Sequence, residues 1–549
     1  MNATGMIEAG RAGTGTNATL RGAVGELLRE TLEVYRDDPT ACSLLQGYAE
    51  RLGEPVRVAL AGMAKAGKTT LLNAIAGEGI ALAEACRHPH LVVWYRHGPA
   101  PRATAHSVSG QARTLRLDRK DGRLVADLGS LAAHEVDRLV IEWPAEGLRA
   151  LTLIDTPGPA SPPDSTDPAS PTNPAGMAGL PVPAAVAVDA DAIVYLMRHP
   201  READLDYLRA LRDAAATGAS NALVVLSRAD EIGAGRIDSL ISARACAEEY
   251  AREGTLRDLA LGVVPVAGLV ARAARTLRKD EFEALVEVSR LDRTTRERLL
   301  LSADRFVRAD EPEGIGPDLR AILLERFGLF GIRLASALIR GGIRRPLPLA
   351  RELARRSGLA DLMDLMFAGF VAHGTRLKAC AILAGIEALI RAHPRAGTIR
   401  LAESLERVRA NAHDFQELRI AAKVHGGRLP VEPWLAAEAG RLVGGRGDAP
   451  EDRLGDGTGQ AAEGASDEEL RTRALERLDR WRKAAGNPRA DQAAVEDYRI
   501  VIRSCEATLA LLASKAAPGN TGTARVLLRP EPGTGPVQHT QDQRRPAQR

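Results

Sequence analysis

Apolar residues along this chain change their spacing twice. Near the N-terminus Leu20, Val24, Leu27, Leu28, Leu32 and Val34 recur every three to four positions, so helix is expected within 18–54. At Val56 the spacing collapses into a short continuous run, Val56 to Ala61. The run stops at Gly62 and is followed, after a glycine-rich turn, by Leu71, Leu72, Ala74 and Ile75. This reads as strand, loop and helix. Further strand-like runs lie at 91–95, 136–142, 151–154, 192–197, 222–226 and 261–266, and helical stretches separate the later ones. Strands alternating with helices predict an α/β domain over 55–275, with a mostly parallel sheet flanked by helices.

Beyond residue 276 the strand signals fade. Leu319, Ile322, Leu323, Phe327, Phe330, Leu334 and Leu338 mark one face of a long helix, and helical spacing continues through 346–356, 359–373, 375–393 and 400–423. An all-α bundle is expected over 276–437. Residues 438–467 are rich in Gly, Asp, Ala and Arg and read as a flexible linker, 468–515 as two further helices, and 516–549 as a disordered tail. Residues 1–17 read as disordered, and the proline-rich stretch 159–185 as a mobile loop. The Phe327 and Phe330 face, with Arg326, Arg333, Arg340, Arg344 and Arg345 beside it, fits either a bundle core or an interfacial helix against lipid.

Composition narrows the setting. The 549 residues are 45% hydrophobic and 26% charged with a net charge of +3, which suits folded domains and supplies no global basic field for nucleic acid. Five cysteines (Cys42, Cys86, Cys246, Cys380, Cys505) form no C-x-x-C pair, so a reducing, cytoplasmic setting is expected, without disulfides or a zinc site. No uninterrupted apolar window spans a bilayer and no leader pattern is present, so any membrane contact is expected to be peripheral.

The chemistry begins at Gly62-Met-Ala-Lys-Ala-Gly67-Lys68-Thr69, a full G-x-x-x-x-G-K-[ST] match between the expected strand and helix. In such a loop the backbone amides of Gly62, Ala64, Lys65, Ala66 and Gly67, with Thr70 at the helix start, surround phosphate oxygens. Lys68 neutralises the β and γ phosphates, and Thr69 offers its hydroxyl to Mg²⁺. Asp155-Thr156-Pro157-Gly158 ends the run at 151–154. Asp155 is expected to reach the Mg²⁺ through water, and the Gly158 amide to sense the γ-phosphate. Ser227-Arg228-Ala229-Asp230 ends the run at 222–226, where a carboxylate accepting from guanine N1 and N2 would discriminate against adenine. Arg228 would stack on the base, and Ala267 and Gly268 fall where a weaker base-contacting loop belongs.

The stretch from Gly62 to Gly77, D-T-P-G and S-R-A-D resemble the dynamin-like GTPases. Trp94 to Gly98, Ser227 to Asp238 and Leu324 to Arg333 resemble more narrowly the bacterial, isoniazid-inducible IniC-like group, over about residues 20–435. The resemblance implies binding of GTP and GDP with Mg²⁺ and hydrolysis coupled to self-association, as a homo-oligomer or with another dynamin-like protein. It also implies a helical neck and trunk that contact membrane, here at the inner face of the plasma membrane.

Two positions bear on rate. No Ser or Thr occurs from Leu71 to Arg102, the interval where dynamin-like GTPases carry a switch Thr. The stretch instead reads Glu84-Ala-Cys-Arg-His-Pro-His90, with Cys86 and His88 as plain loop residues or as helpers. Hydrolysis is therefore expected to be slow, and a GTP-binding switch acting with a competent relative remains an open alternative. Lys65 stands where relatives place an internal cation, either supplying transition-state charge in cis or lying solvated over the loop.

Overall fold

The computed structural model describes residues 16–82, 91–107, 110–120, 123–128, 131, 135–156, 189–214, 221–232, 235–252, 254–308, 314–411, 413–455, 462, 464–488 and 490–516. Two helices come first, Thr16–Val34 and Pro39–Gly53. Thr16 and Asn17, expected to be disordered, lie in the first of them. The second starts where Pro39 fixes the entry φ and the Asp38 carboxylate accepts from the Ala41 amide, a proline-supported cap.

One sheet follows, made of β1 (Val56–Gly62), β2 (Val92–His97), β3 (Arg102–Ser107), β4 (Ala112–Lys120), β5 (Arg123–Asp127), β6 (Val136–Trp143), β7 (Leu151–Asp155), β8 (Ala192–Met197), β9 (Ala222–Ser227) and β10 (Val263–Val266). Its ten strands run in the order β10-β9-β8-β1-β7-β2-β6-β3-β4-β5. The five from β10 to β7 pair in parallel, and antiparallel pairing enters at β7–β2 and through β6-β3-β4-β5. β8 and β9 are buried throughout, which is why they read as unbroken apolar runs. β3, β4 and β5 were not legible as strands, because this antiparallel edge buries few apolar side chains, among them Leu115 and Leu124.

β1 lies between β8 and β7, so chains leaving its C-terminal end diverge and open a crevice there. Gly62 closes the strand at φ +141, and a Cβ on it would stand 2.4 Å from the Leu196 carbonyl oxygen of β8. Glycine is required at this close approach.

The helices after β10 do not form a layer apart. Val270 and Ala273 of helix Gly268–Arg275 share one core with Phe282, Leu285, Phe306, Leu323, Phe327, Phe330 and Leu349. The expected boundary at 275/276 thus cuts through packed side chains. Phe327 and Phe330 are 0% and 3% exposed, so the aromatic stripe is core. Leu359, Leu362, Met366, Phe370 and Leu377 join the sheet core beside Val58, Leu60 and Leu151. The N-terminal helices pack through Leu20, Val24, Leu27 and Leu45 against Ile382, Ile386, Leu401 and Leu405 of helices Gly374–Ala392 and Thr398–Asn411. The Tyr35 hydroxyl donates to the His393 carbonyl at 2.8 Å. Helices His413–His425, Pro433–Leu442, Asp467–Ala485 and Gln492–Ala516 close around Trp481.

Residues 438–455 correct the reading of 438–467 as flexible linker. Arg453 is buried and reaches Glu417 at 2.7 Å and Asp448 at 2.8 Å. Arg376, also buried, reaches the same two carboxylates at 2.7 Å each and Asp414 at 3.4 Å. Glycine, Asp and Arg serve tight turns and internal ion pairs here, so composition alone was a poor guide. Residues 456–461 and 463 of that stretch, 1–15, most of the expected tail, the Pro-rich loop 159–185 and the segment holding Cys86 and His88 lie outside the described residues. Among the described residues no helix is long and apolar enough to cross a membrane.

Candidate functional site

The crevice above β1 is built by three chain segments. The P-loop leaves β1 at Gly62 and enters helix Lys68–Ala76 through Gly67, an N-cap at φ 99 with no side-chain cap. The first amides of that helix are therefore presented to an anion together with the positive end of its dipole. Lys68 folds back over the loop, its Nζ donating to the carbonyls of Gly62 at 2.7 Å and Met63 at 3.2 Å. Ala64 and Lys65 are exposed at the crest, whereas Ala66 is buried, its amide donating to the Met63 carbonyl at 3.2 Å.

β7 delivers the second segment. Asp155 is paired in register with Leu60 of β1 and is buried. The hydroxyl of the next residue, Thr156, donates to the Leu60 carbonyl at 2.8 Å, pinning the strand end beside the P-loop. Pro157 and Gly158 lie outside the described residues. Thr69 stands at the second position of the P-loop helix. A hydroxyl and a carboxylate on adjoining elements fit magnesium, which takes one or two protein oxygens and keeps waters and phosphate oxygens for the rest. Among the described residues there is no group of three His, Cys, Asp or Glu that would make a metal cage.

The third segment follows β9. The Ser227 hydroxyl donates to the Met197 carbonyl of β8 at 3.1 Å, and Arg228 turns the chain at φ 54 into a short helix carrying Asp230. Among the described non-glycine residues, positive φ occurs at Lys65 and Arg228, so the unusual backbone conformations flank this crevice. The Arg228 guanidinium donates to Glu231 at 2.8 Å. Burial pushes the Asp230 carboxyl above the ordinary aspartate range, with its own amide and Arg228 pulling the other way and Glu231 adding to the rise. The Ala267 amide donates to the Ser357 carbonyl at 2.9 Å. A Cβ on Gly268 would stand 3.3 Å from the Thr70 methyl, so the loop after β10 abuts the P-loop helix.

A cleft of about 630 Å³, open to solvent, brings Ala66, Gly67 and Thr70 together with Ser227, Arg228, Asp230 and Gly268. Gly62, Ala64, Lys65, Lys68, Thr69, Asp155 and Ala267 are not part of its lining. Beyond the apolar Leu71, Leu196, Val225 and Val266, the cleft adds Glu231 and Leu269, which sequence reasoning missed. Each directly follows a residue singled out there, and that adjacency was the available signal.

The parallel core, the P-loop at its central strand and the helical layers define a P-loop α/β protein with an appended helical bundle. Comparison with known proteins agrees in sequence. Isoniazid-induced protein IniC of Mycobacterium tuberculosis, from strains CDC 1551 / Oshkosh and ATCC 25618 / H37Rv alike, is 36% identical over 495 residues, 89% of this chain and 98% of the relative. The chain therefore belongs to the IniC family, the bacterial dynamin-like group whose motifs it carries. No family model matches it. Two solved chains of an oligomerised bacterial dynamin pair, described as sensing and tethering membranes over long range, are 12% identical. They cover 92% and 74% of this chain and 75% and 81% of their own, with TM-scores of 0.29 and 0.26. Superpositions that loose bear on neither fold nor function.

Proposed function

We propose that this protein binds GTP and hydrolyses it slowly to GDP and phosphate, coupling its nucleotide state to self-association and to peripheral membrane contact. The observation that carries the reading is the meeting, in one cleft, of the P-loop residues Ala66, Gly67 and Thr70 with Asp230 at the end of β9. The first group suits polyphosphate and the second suits guanine.

In this reading Gly62, Ala64, Lys65, Ala66 and Gly67 give backbone amides to the phosphates, with Thr70 beside them. Lys68 leaves the Gly62 and Met63 carbonyls to neutralise the β and γ oxygens. Thr69 and, through water, Asp155 would hold a magnesium ion, which would offset negative charge on the phosphates. Water attacks the γ-phosphorus as its bond to the β–γ bridging oxygen breaks, and the water's proton ends on the released phosphate. Lys65, at the crest, supplies positive charge as that bond opens. Gly158 is assigned to γ-phosphate sensing by its motif alone. Asp230 accepts from guanine N1 and N2, Ser227 and Arg228 shape the turn that presents it, and Ala267 and Gly268 flank the base. Self-association and lipid contact rest on the resemblance to dynamin-like proteins.

The second reading, a nucleotide-gated switch that works beside a competent relative, is favoured by the lack of any Ser or Thr from Leu71 to Arg102. Single-turnover GTP hydrolysis with Mg²⁺, with and without liposomes, separates the two. Turnover that rises with protein concentration or lipid, and falls at least ~100-fold in Lys68→Ala, supports the enzyme. Tight GTP binding without turnover establishes the switch.

A further inference from the structure

The base side of the cleft is backed by helix Pro317–Arg340, which is broken at Gly328, φ 64 and ψ 170, a backbone region essentially confined to glycine. The break seats the helix against the elements that line the base end. A Cβ on Gly328 would stand 3.4 Å from Leu269 Cδ1, and one on Gly331 would stand 3.2 Å from Val270 Cγ2. Leu269 itself lines the cleft.

Arginines tie the two halves of the helix to different parts of the site. Before the break, Arg272 donates to the Glu325 carbonyl at 3.2 Å and Arg326 to the Thr276 carbonyl at 2.8 Å. Both contacts hold helix Gly268–Arg275, which begins in the loop after β10. Beyond the break, Arg333 uses the two arms of its guanidinium on two carbonyls, Nη1 on Gly235 and Nη2 on Leu300, each at 2.5 Å. Gly235 lies five residues after Asp230 and doubles back on it. A Cβ there would stand 3.6 Å from the Asp230 carbonyl oxygen and 3.5 Å from Arg333 Nη1.

We propose that Arg333 is a positioning residue for guanine recognition, holding the Asp230 turn at Gly235 from the far side of the broken helix. The proposal rests on the reading of Asp230 as the guanine acceptor. Asp230 is half-buried, and an acceptor for two parallel donors must be fixed in both distance and tilt. Anchoring Gly235, whose Cα side faces the Asp230 carbonyl oxygen, through its own carbonyl sets that tilt. A lysine would offer a single flexible ammonium in place of the planar two-armed fork, and so would hold the pair of carbonyls less rigidly.

The test is calorimetric binding of GDP and of IDP, which lacks the N2 amine, to the full chain and to its Arg333→Ala, Arg333→Lys and Asp230→Ala variants, with thermal melts alongside. The native protein is expected to favour GDP over IDP by more than about tenfold, the worth of one hydrogen bond to a buried charge. Arg333→Ala should weaken GDP about tenfold and IDP much less, compressing the ratio below about threefold, with Arg333→Lys in between. A purely structural role would weaken both nucleotides alike, and an unchanged ratio in folded Arg333→Ala overturns the proposal. If that variant does not fold, an unchanged ratio in Arg333→Lys overturns it instead. A ratio that survives Asp230→Ala removes the guanine reading itself, and the proposal falls with it.

Discussion

Two of the regions that take charge out of water in this protein treat it in opposite ways. At the joint behind the sheet, Arg376 and Arg453 share Glu417 and Asp448 so completely that both carboxylates are bonded by both guanidiniums. In the cleft, Asp230 is held up by burial with Arg228 turned aside to Glu231, and Lys68 rests on the carbonyls of its own loop. Burial of charge therefore does not by itself mark function. The joint is complete within the chain, whereas in the proposed reading a nucleotide completes the cleft, and the difference lies in how the partners are arranged.

The comparison breaks most visibly if the joint is made incomplete. Glu417→Gln leaves two buried guanidiniums sharing less charge and should cost about 3–5 kcal/mol in urea unfolding, with nucleotide affinity unchanged in the fraction that remains folded. Burial raises the Glu417 carboxyl, but Arg453 and Arg376 outweigh it and hold it at about 2. A depressed folded value means that this stability is fully present above the unfolded value, about 4.5, and is lost as pH falls toward 2. An unfolding midpoint that does not move between those limits would show that the joint is not a unit.

Guanine affinity should respond to acid in the opposite sense of design. Asp230 has its carboxyl raised above 3.8 by burial, so the base-binding form is present near neutrality and disappears as pH falls through that raised value. GDP titrations should weaken at a higher pH than an ordinary aspartate would allow, and Asp230→Ala should abolish that dependence. The sign for the unliganded fold is reversed, because a raised carboxyl favours folding on acidification. The smallest effect is expected at Lys65. Lys65→Ala should lower single-turnover hydrolysis about tenfold with little change in GTP affinity, and equal turnover would leave Lys65 as a solvated residue at the loop crest.

The two regions were not equally open to sequence reading. The P-loop is contiguous from Gly62 to Thr69 and bounded by local pattern, so its strand and helix could be placed without tertiary knowledge. Asp155 ends one strand and Asp230 follows another, and both runs are apolar because both sheet faces are covered. Glu231 and Leu269 enter the cleft only through packing, and Arg333 reaches Gly235 across 98 positions, beyond any local period. The joint was misread for the same reason: Gly444, Asp448 and Arg453 have the composition of a linker, and their partners Arg376, Asp414 and Glu417 lie on earlier helices. The polar edge strands β3 to β5 offered too little alternation to be separated from loop.

The packing of helices Thr16–Val34 and Pro39–Gly53 onto Gly374–Ala392 and Thr398–Asn411 also sets an order in time. The first two helices emerge from the ribosome long before Leu401 and Leu405, and at about 5–20 residues per second that interval is roughly 20–70 s. Until its end Leu20, Val24, Leu27 and Leu45 lack Leu401 and Leu405, while by then every described strand of the sheet, the last ending at Val266, has emerged. The chain's beginning is thus among the last parts to reach its place.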